Sequence, residues 1–316
     1  MLERFGKTCS VALATVLSVA MLWSVAASAQ TYRKGQHIEV AYEGWEQNDD
    51  GTYSFLFGYH NENWEEELDV PVGENNFFSP GEADRGQPTH FLPRRNRFTF
   101  KVQVPADWGD KELAWTVTSN GVTRTAYATL AKDYVVDSVV IASETGSLGA
   151  GTSTPESRAN TRPQVSVIGD TIRNVRVGEP LTLRAQVEDD GLPTPGNVGN
   201  FRYPLDSRTA TSEMRRFMNA PSRITVGKTN GLFLSWNVYR GEGNVMFSPQ
   251  QVKPWEDTRA SANSPWGAYW TPPPIPEDGI YEVTVTFDEP GQYVLWGRAD
   301  DGGLYHDQYV TVNVNP

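Results

Sequence analysis

The chain has 316 residues, of which 21% are charged and 11% aromatic, with 28 glycines, 21 prolines and one cysteine. Its formal charge of -12 repels phosphate backbones and anionic lipid, which excludes nucleic acid and membrane surfaces as partners and favours cations. The length allows about two ordinary domains, and abundant Gly, Pro and aromatic residues with few long amphipathic stretches point to an all-β protein.

Residues 1–29 have the form of a secretory signal: Arg4 and Lys7, an apolar run from Val11 to Val25, then Ala27-Ser28-Ala29. The apolar run is too short to span a membrane, and export to the periplasm or beyond the cell is expected. Cys9 falls inside this segment, so the mature chain, with charge -13 after loss of Glu3, Arg4 and Lys7, has no disulfide or thiolate chemistry.

A first β-sandwich is expected over residues 30–142. Ile38, Val40 and Tyr42 alternate with polar neighbours, as do Tyr53, Phe55 and Phe57, and Phe98, Phe100, Val102 and Val104 form the clearest strand with one buried face. Leu113, Trp115 and Val117 run into Asn120-Gly121, a hairpin turn. The acidic run Glu62, Glu65, Glu66, Glu67, Asp69 reads as a cation site, a carboxylate pair or a charge-protected edge strand. The loop between Phe77 and Pro93, with its Gly/Pro-rich run Ser79–Pro88, reads as a crossover between sheets or a binding loop. Tyr134–Ala142 reads as an edge strand, and residues 143–162, rich in Ser, Thr and Gly, as a flexible linker.

A second sandwich is expected over residues 163–316. Leu181 to Val187, Leu232 to Tyr239 and Ile280 to Phe287 carry strand alternation, and after a tight turn at Pro290 and Gly291 the alternation of Tyr293, Leu295 and Gly297 against Val294 and Trp296 makes the first arm of a hairpin that returns, across an Asp/Gly turn, as Tyr305 to Val314. The runs Gly178-Glu179-Pro180-Leu181-Thr182-Leu183, Val187-Glu188-Asp189-Asp190-Gly191, Leu234-Ser235-Trp236, Pro290-Gly291-Gln292-Tyr293 and Asp300-Asp301-Gly302 resemble the PKD-type immunoglobulin-like repeats of secreted bacterial proteins. That resemblance implies a structural role for Trp236 as core tryptophan and Tyr293 as tyrosine corner, with Leu183 and Leu295 where antibody domains place their disulfide. The first half resembles, more loosely, uncharacterised secreted bacterial proteins. The whole then reads as two tandem immunoglobulin-like β-sandwich domains.

Two long insertions, Leu192–Gly231 and Ser248–Gly279, interrupt the second sandwich. In an immunoglobulin-like fold the B–C, D–E and F–G loops emerge at one end, which gathers both insertions and both Asp-Asp-Gly turns. Asp189, Asp190, Asp300 and Asp301 are the candidate Ca2+ ligands, against the alternative that Asp-Gly merely suits these turns. Trp255, Trp266, Tyr269 and Trp270 are a candidate platform for a glycan or a protein partner, against an inward-folded satellite core. Arg202, Arg208, Arg215, Arg216 and Arg223 are expected to pair with the acidic loop ends.

No zinc-hydrolase, serine-hydrolase, phosphate-loop or paired-cysteine motif occurs, and His37, His60, His90 and His306 read as scattered single residues. The expectation is a non-catalytic secreted binding or adhesion module. The alternatives are an accessory subunit of an exported complex that docks by its sheet edges, and a carbohydrate-active hydrolase, since acid pairs need no motif.

Overall fold

Alternating burial along the strands builds both sandwiches, so the cores follow from the pattern of the sequence. The computed structural model describes residues 33–146, 153–195, 226–227, 230–251, 253, 268–269 and 274–316. The expected signal segment and most of both insertions lie outside these residues.

In the first sandwich β1 (Ile38–Gln47) and β2 (Tyr53–Asn61) pair antiparallel. The ribbon of β3 (Leu68–Asp69) and β5 (His90–Phe91) flanks β4 (Asn76–Ser79) in the chain. Next come β6 (Arg94–Val104), β7 (Leu113–Ser119) and β8 (Val122–Ala128). One sheet has the order β1-β2-β6 and the other β4-β7-β8. Leaving the ribbon aside, this is the A-B-E and C-F-G order of an immunoglobulin-like sandwich. Phe55, Phe57, Phe78 and Trp115 fill the space between the sheets, with the Phe78 and Trp115 rings stacked at 6.0 Å.

The expected edge strand over Tyr134–Ala142 is instead a crossing segment followed by α1 (Ser138–Thr145). Asp137 caps the helix by accepting from the Val140 N–H at 2.8 Å, a local signal that outweighs the β-branched residues after it. Where the segment crosses β1, a Cβ on Gly44 would stand 2.5 Å from the Tyr134 carbonyl oxygen, so only glycine fits there. The expected linker also carries α2 (Pro155–Ala159), started by a Thr154/Ser157 capping box.

The second sandwich contains β9 (Gln164–Val167), β10 (Ile172–Arg176) and β11 (Leu181–Glu188). A short parallel pair, β12 (Val226–Gly227) with β15 (Ala268–Tyr269), stands apart. The remaining strands are β13 (Phe233–Arg240), β14 (Val245–Ser248), β16 (Ile280–Phe287), β17 (Gly291–Asp300) and β18 (Tyr305–Asn315). Sheet orders β14-β16-β11-β9 and β10-β18-β17-β13 reproduce the D-E-B-A and A'-G-F-C arrangement, with β10 parallel to β18. The all-β, immunoglobulin-like architecture is therefore as the sequence suggested.

Trp236, Leu183, Leu295 and Tyr293 all lie in this second core. The Tyr293 hydroxyl donates to the Glu242 carbonyl and lies 3.1 Å from that of Glu289, closing the tyrosine corner. Trp236 packs flat on the backbone of β17: a Cβ on Gly297 would sit 2.8 Å from its ring. Gly297→Ala is expected to destabilise the fold by about 1–3 kcal/mol, because ring and strand cannot both stay in place. Urea unfolding checks this; an unchanged midpoint would mean that the ring can yield.

Candidate functional site

The two sandwiches meet along a seam, and the seam builds the most elaborate site among the described residues. Its first half is the Ser79–Pro88 loop. Rather than standing free, it docks on the end of β13. The Tyr239 hydroxyl donates to the Gly86 carbonyl at 2.5 Å, and Arg240 donates to both Asp84 carboxylate oxygens at 2.7 and 2.9 Å and to the Gln87 carbonyl at 2.8 Å. The Arg240 guanidinium holds the Asp84 carboxyl below its usual range. The Thr89 N–H donates to the Tyr239 carbonyl at 3.1 Å, extending the contact into backbone. Tyr239 and Trp296, from the second sandwich, belong to the first sandwich's core.

The second half is a buried cation. Arg298 is 3% exposed, donates to both Asp307 oxygens at 2.8 and 2.9 Å, and donates to the Phe98 carbonyl at 2.9 Å. Its guanidinium lies 3.7 Å from the Tyr305 ring centroid and 4.5 Å from that of Trp296. The Tyr305 hydroxyl donates to the same Phe98 carbonyl at 2.9 Å. Phe98 sits at φ 47°, a left-handed conformation that costs a bulky residue strain, where the β2–β6 register shifts. Leu56, Phe98, Ile141 and Leu304 bury a small apolar cluster beside this point, so α1 plugs the seam.

Between these halves lies a cleft of about 570 Å³, within the size range of small-ligand sites. Phe98, Phe100, Tyr305 and Tyr309 give it aromatic walls, and Lys101, Arg162 and His306 bring polar groups. Lys101 pairs with Glu46, from which Arg162 stands 3.9 Å away. The Val165 N–H donates to His306 Nδ1 at 3.1 Å, which leaves the proton of the neutral ring on Nε2. Burial, aided by Arg162 and Lys101, pushes the His306 pKa below its ordinary value and favours that neutral form.

The sequence-predicted aspartates lie at the expected end of the second sandwich. Each Asp-Asp-Gly turn closes on itself: Asp189 accepts from Gly191 N–H at 2.9 Å, and Asp301 from Gly303 and Leu304 N–H at 2.6 and 2.7 Å. Residues after α2 link the two turns. Asn160 Nδ2 donates to Asp301 at 3.1 Å, and Thr161 donates to Asp190 through N–H at 2.8 Å and hydroxyl at 2.7 Å. Asp300 and Asp301 come together, and so do Asp189 and Asp190. Burial, with the neighbouring Asp300, pushes the Asp301 carboxyl up to about 7.

The returns of both insertions arrive at the same end, with Gly231 N–H donating to the Asp301 carbonyl at 2.8 Å and Val187 N–H to that of Gly279 at 2.9 Å. Trp255, Trp266 and Trp270 lie outside the described residues, as do Arg202, Arg208, Arg215, Arg216 and Arg223; Tyr269 is described only as backbone of β15. In the first sandwich's acidic run, Glu65 pairs with Arg33 at 2.8 Å, and Glu67 and Asp69 flank His90 at 3.1 and 2.7 Å. Sequence reasoning missed the seam residues Arg298, Asp307, Arg240 and Asp84. Arg298 between two strand partners in an otherwise apolar run was the available signal.

No protein-family model and no curated protein matches the chain. Among solved structures it is similar to domains 4 and 5 of the S-layer protein SbsC, with 13% identity and a TM-score of 0.24 over 64% of this chain and 65% of that one. It spans 28% of the longer SbsC(31-844) structure. The D00-D0 domain of intimin aligns with 12% identity and a TM-score of 0.21 over 87% of this chain and 99% of that one. The Yersinia pseudotuberculosis adhesin InvE aligns with 10% identity and a TM-score of 0.22 over 89% and 59%. Likeness at these scores carries no argument about activity or partner.

Replacing Arg298 by Met strands the Asp307 carboxylate and the Phe98 carbonyl in the seam, and is expected to cost about 3–5 kcal/mol in chemical unfolding. A loss below about 1 kcal/mol would show that the seam does not bind the sandwiches together. Asp301 sets a pH dependence. Its folded pKa of about 7 lies above the ordinary aspartate value of 3.8, so the folded state holds an extra proton between those values and its stability falls as pH rises through them. Asp301→Asn is expected to flatten the melting curve against pH over that window; an unchanged slope would assign the dependence elsewhere.

Proposed function

We propose that the chain is a non-catalytic, exported binding module whose ligand sits in the cleft between its sandwiches. The observation that carries this reading is that two independent polar locks, Arg240 with Asp84 and Arg298 with Asp307, fix the walls of a cleft with aromatic faces and a cationic edge. A binder gains affinity from such preorganisation, since the walls need no ordering when the ligand arrives. The chemistry suits a sugar ring carrying a carboxylate: Tyr309 for a ring face, Lys101, Arg162 and His306 Nε2–H for the charge. The PKD-type resemblance, the signal-directed export to periplasm or cell exterior and the glycan or protein partner belong to this same reading.

Adhesion through the B–C, D–E and F–G loop end is the second reading, with Trp266 and Trp270 as contacts and Ca2+ at the aspartate turns. The gathering of both insertion returns against Asp301 and Gly279 favours it. Calorimetry with uronic-acid and neutral oligosaccharides separates the two. The cleft reading expects binding of the acidic sugar, weakened about tenfold or more by Arg162→Ala and unaffected by Trp266→Ala with Trp270→Ala. The reverse pattern would move the site to the loop end, and no binding of either sugar would remove the glycan reading.

A further inference from the structure

The sequence contains one short pattern twice, His37-Ile38-Glu39 and His60-Asn61-Glu62. The fold lays the two copies side by side in antiparallel register. Ile38 pairs with Asn61 and Glu39 with His60, and the Glu62 N–H donates to the His37 carbonyl at 3.1 Å, which continues the alignment to His37 opposite Glu62. Ile38 and Asn61 are fully buried. Their neighbours at i-1 and i+1 therefore share the opposite, half-buried face of the sheet. The result is a quartet with near two-fold symmetry, each histidine opposite the glutamate of the other copy.

Within it His37, Glu39 and Glu62 each offer a ligand atom, all within 4.8 Å of one another, the one such trio among the described residues. His37 Nε2 lies 2.6 Å from Glu39 Oε1, and Nδ1 lies 3.8 Å from Glu62 Oε2. Three cations face the group. Arg124 of β8 donates to Glu39 Oε1 at 2.6 Å, Arg94 donates to the Glu62 carbonyl at 2.9 Å, and Arg95 stands opposite His60 and pairs with Glu43. None of these interactions takes Glu39 Oε2 or a Glu62 carboxylate oxygen. The Arg124 contact has the form of the outer partner that orients a ligating carboxylate.

We infer that this face is a binding site for a divalent transition-metal ion of the zinc class, held by His37, Glu39 and Glu62, with water completing the coordination. An imidazole among two carboxylates selects borderline ions such as Zn2+ over the hard Ca2+, which wants six or more oxygens. The ion takes the place of the proton between His37 Nε2 and Glu39 Oε1. Two paired strands hold the three groups, and the buried Ile38 and Asn61 fix the register, so little ordering accompanies binding. The site is separate from the cleft and from the aspartate turns, and stands whether or not those bind anything.

The test uses untagged, EDTA-stripped protein, titrated with ZnCl2 or CaCl2 in a thermal-unfolding assay, and with CoCl2 in the visible spectrum. Zinc at a hundredfold excess over its Kd is expected to raise Tm by several degrees. Cobalt should give the intense bands of a four-coordinate site. Glu62→Gln and His37→Gln should each weaken zinc binding about tenfold or more. Glu62 is at the half-exposed end of the quartet, so its variant keeps the test open if His37→Gln fails to fold. No shift with millimolar zinc, an equal shift with calcium, or a shift that survives Glu62→Gln overturns the proposal.

Discussion

The assembly depends on a guanidinium with almost no access to water. Arg298 is buried where two sandwiches meet, and a buried charge is tolerable only if its hydrogen bonds are made and its counter-charge is close. Asp307, directly opposite on the paired strand β18, supplies the bidentate partner, while the Tyr305 and Trp296 rings supply electron-rich faces. Arg298 Nη2 has a second N–H, and its acceptor comes from outside the sandwich. The Phe98 carbonyl provides it, and this makes the seam specific in register rather than merely apolar.

That requirement explains the strain in β6. A regular strand would spend the Phe98 carbonyl within its own sheet, but the left-handed turn at φ 47° re-aims it toward Arg298 and Tyr305. The same bulge presents the Phe98 side chain to Leu56, Ile141 and Leu304, so strain in one residue supports both a polar lock and an apolar plug. The Ser79–Pro88 loop works similarly at the other end. Its turn residues leave Asp84 and the Gly86 and Gln87 carbonyls facing Arg240 and Tyr239, which is why a stretch of Gly, Pro and charge holds a fixed position. The cleft lies between two such fixed points, and its width follows from them.

The sheets were legible in the sequence because burial on one face leaves a period of two, as in Phe100 to Val104 and Leu181 to Glu188; Phe98, expected on the same face as Phe100, is turned by the bulge into the separate cluster of Leu56 and Ile141. The tyrosine corner was legible because Pro290-Gly291-Gln292-Tyr293 is a local motif. What escaped was whatever depends on contact between distant segments. Arg298 and Phe98 are 200 positions apart, and no local pattern says that a strand arginine will be buried against a distant strand. The α1 helix escaped for the opposite reason: Val139, Val140 and Ile141 read as strand, and a single capping aspartate with the apolar pocket over Leu56 decided otherwise. For the aspartates the sequence placed the turns at one end, but not the Asn160 and Thr161 bridge that occupies Asp301 and Asp190.

The His-x-Glu pair shows a third kind of blindness. Scanning for metal motifs looks for ligands close in sequence, on one helix turn or one loop, whereas a sheet assembles ligands across strands and makes a two-residue spacing meaningful only when doubled and aligned. The alignment is not free. A slip of one residue between β1 and β2 would turn His37 and Glu39 into the core and expose Ile38. The irregularity of this pair lies between Tyr42 and Gly44, beyond the quartet, and Gly44 is held there by the crossing chain at Tyr134. Upstream of it the strands run without a break to Ile38. The burial of Ile38 and of Asn61, whose Nδ2 donates to the Phe91 carbonyl at 3.1 Å and to that of Glu66 at 2.8 Å, therefore fixes which four side chains share the outer face. The core beneath the sheet thus dictates the chemistry above it.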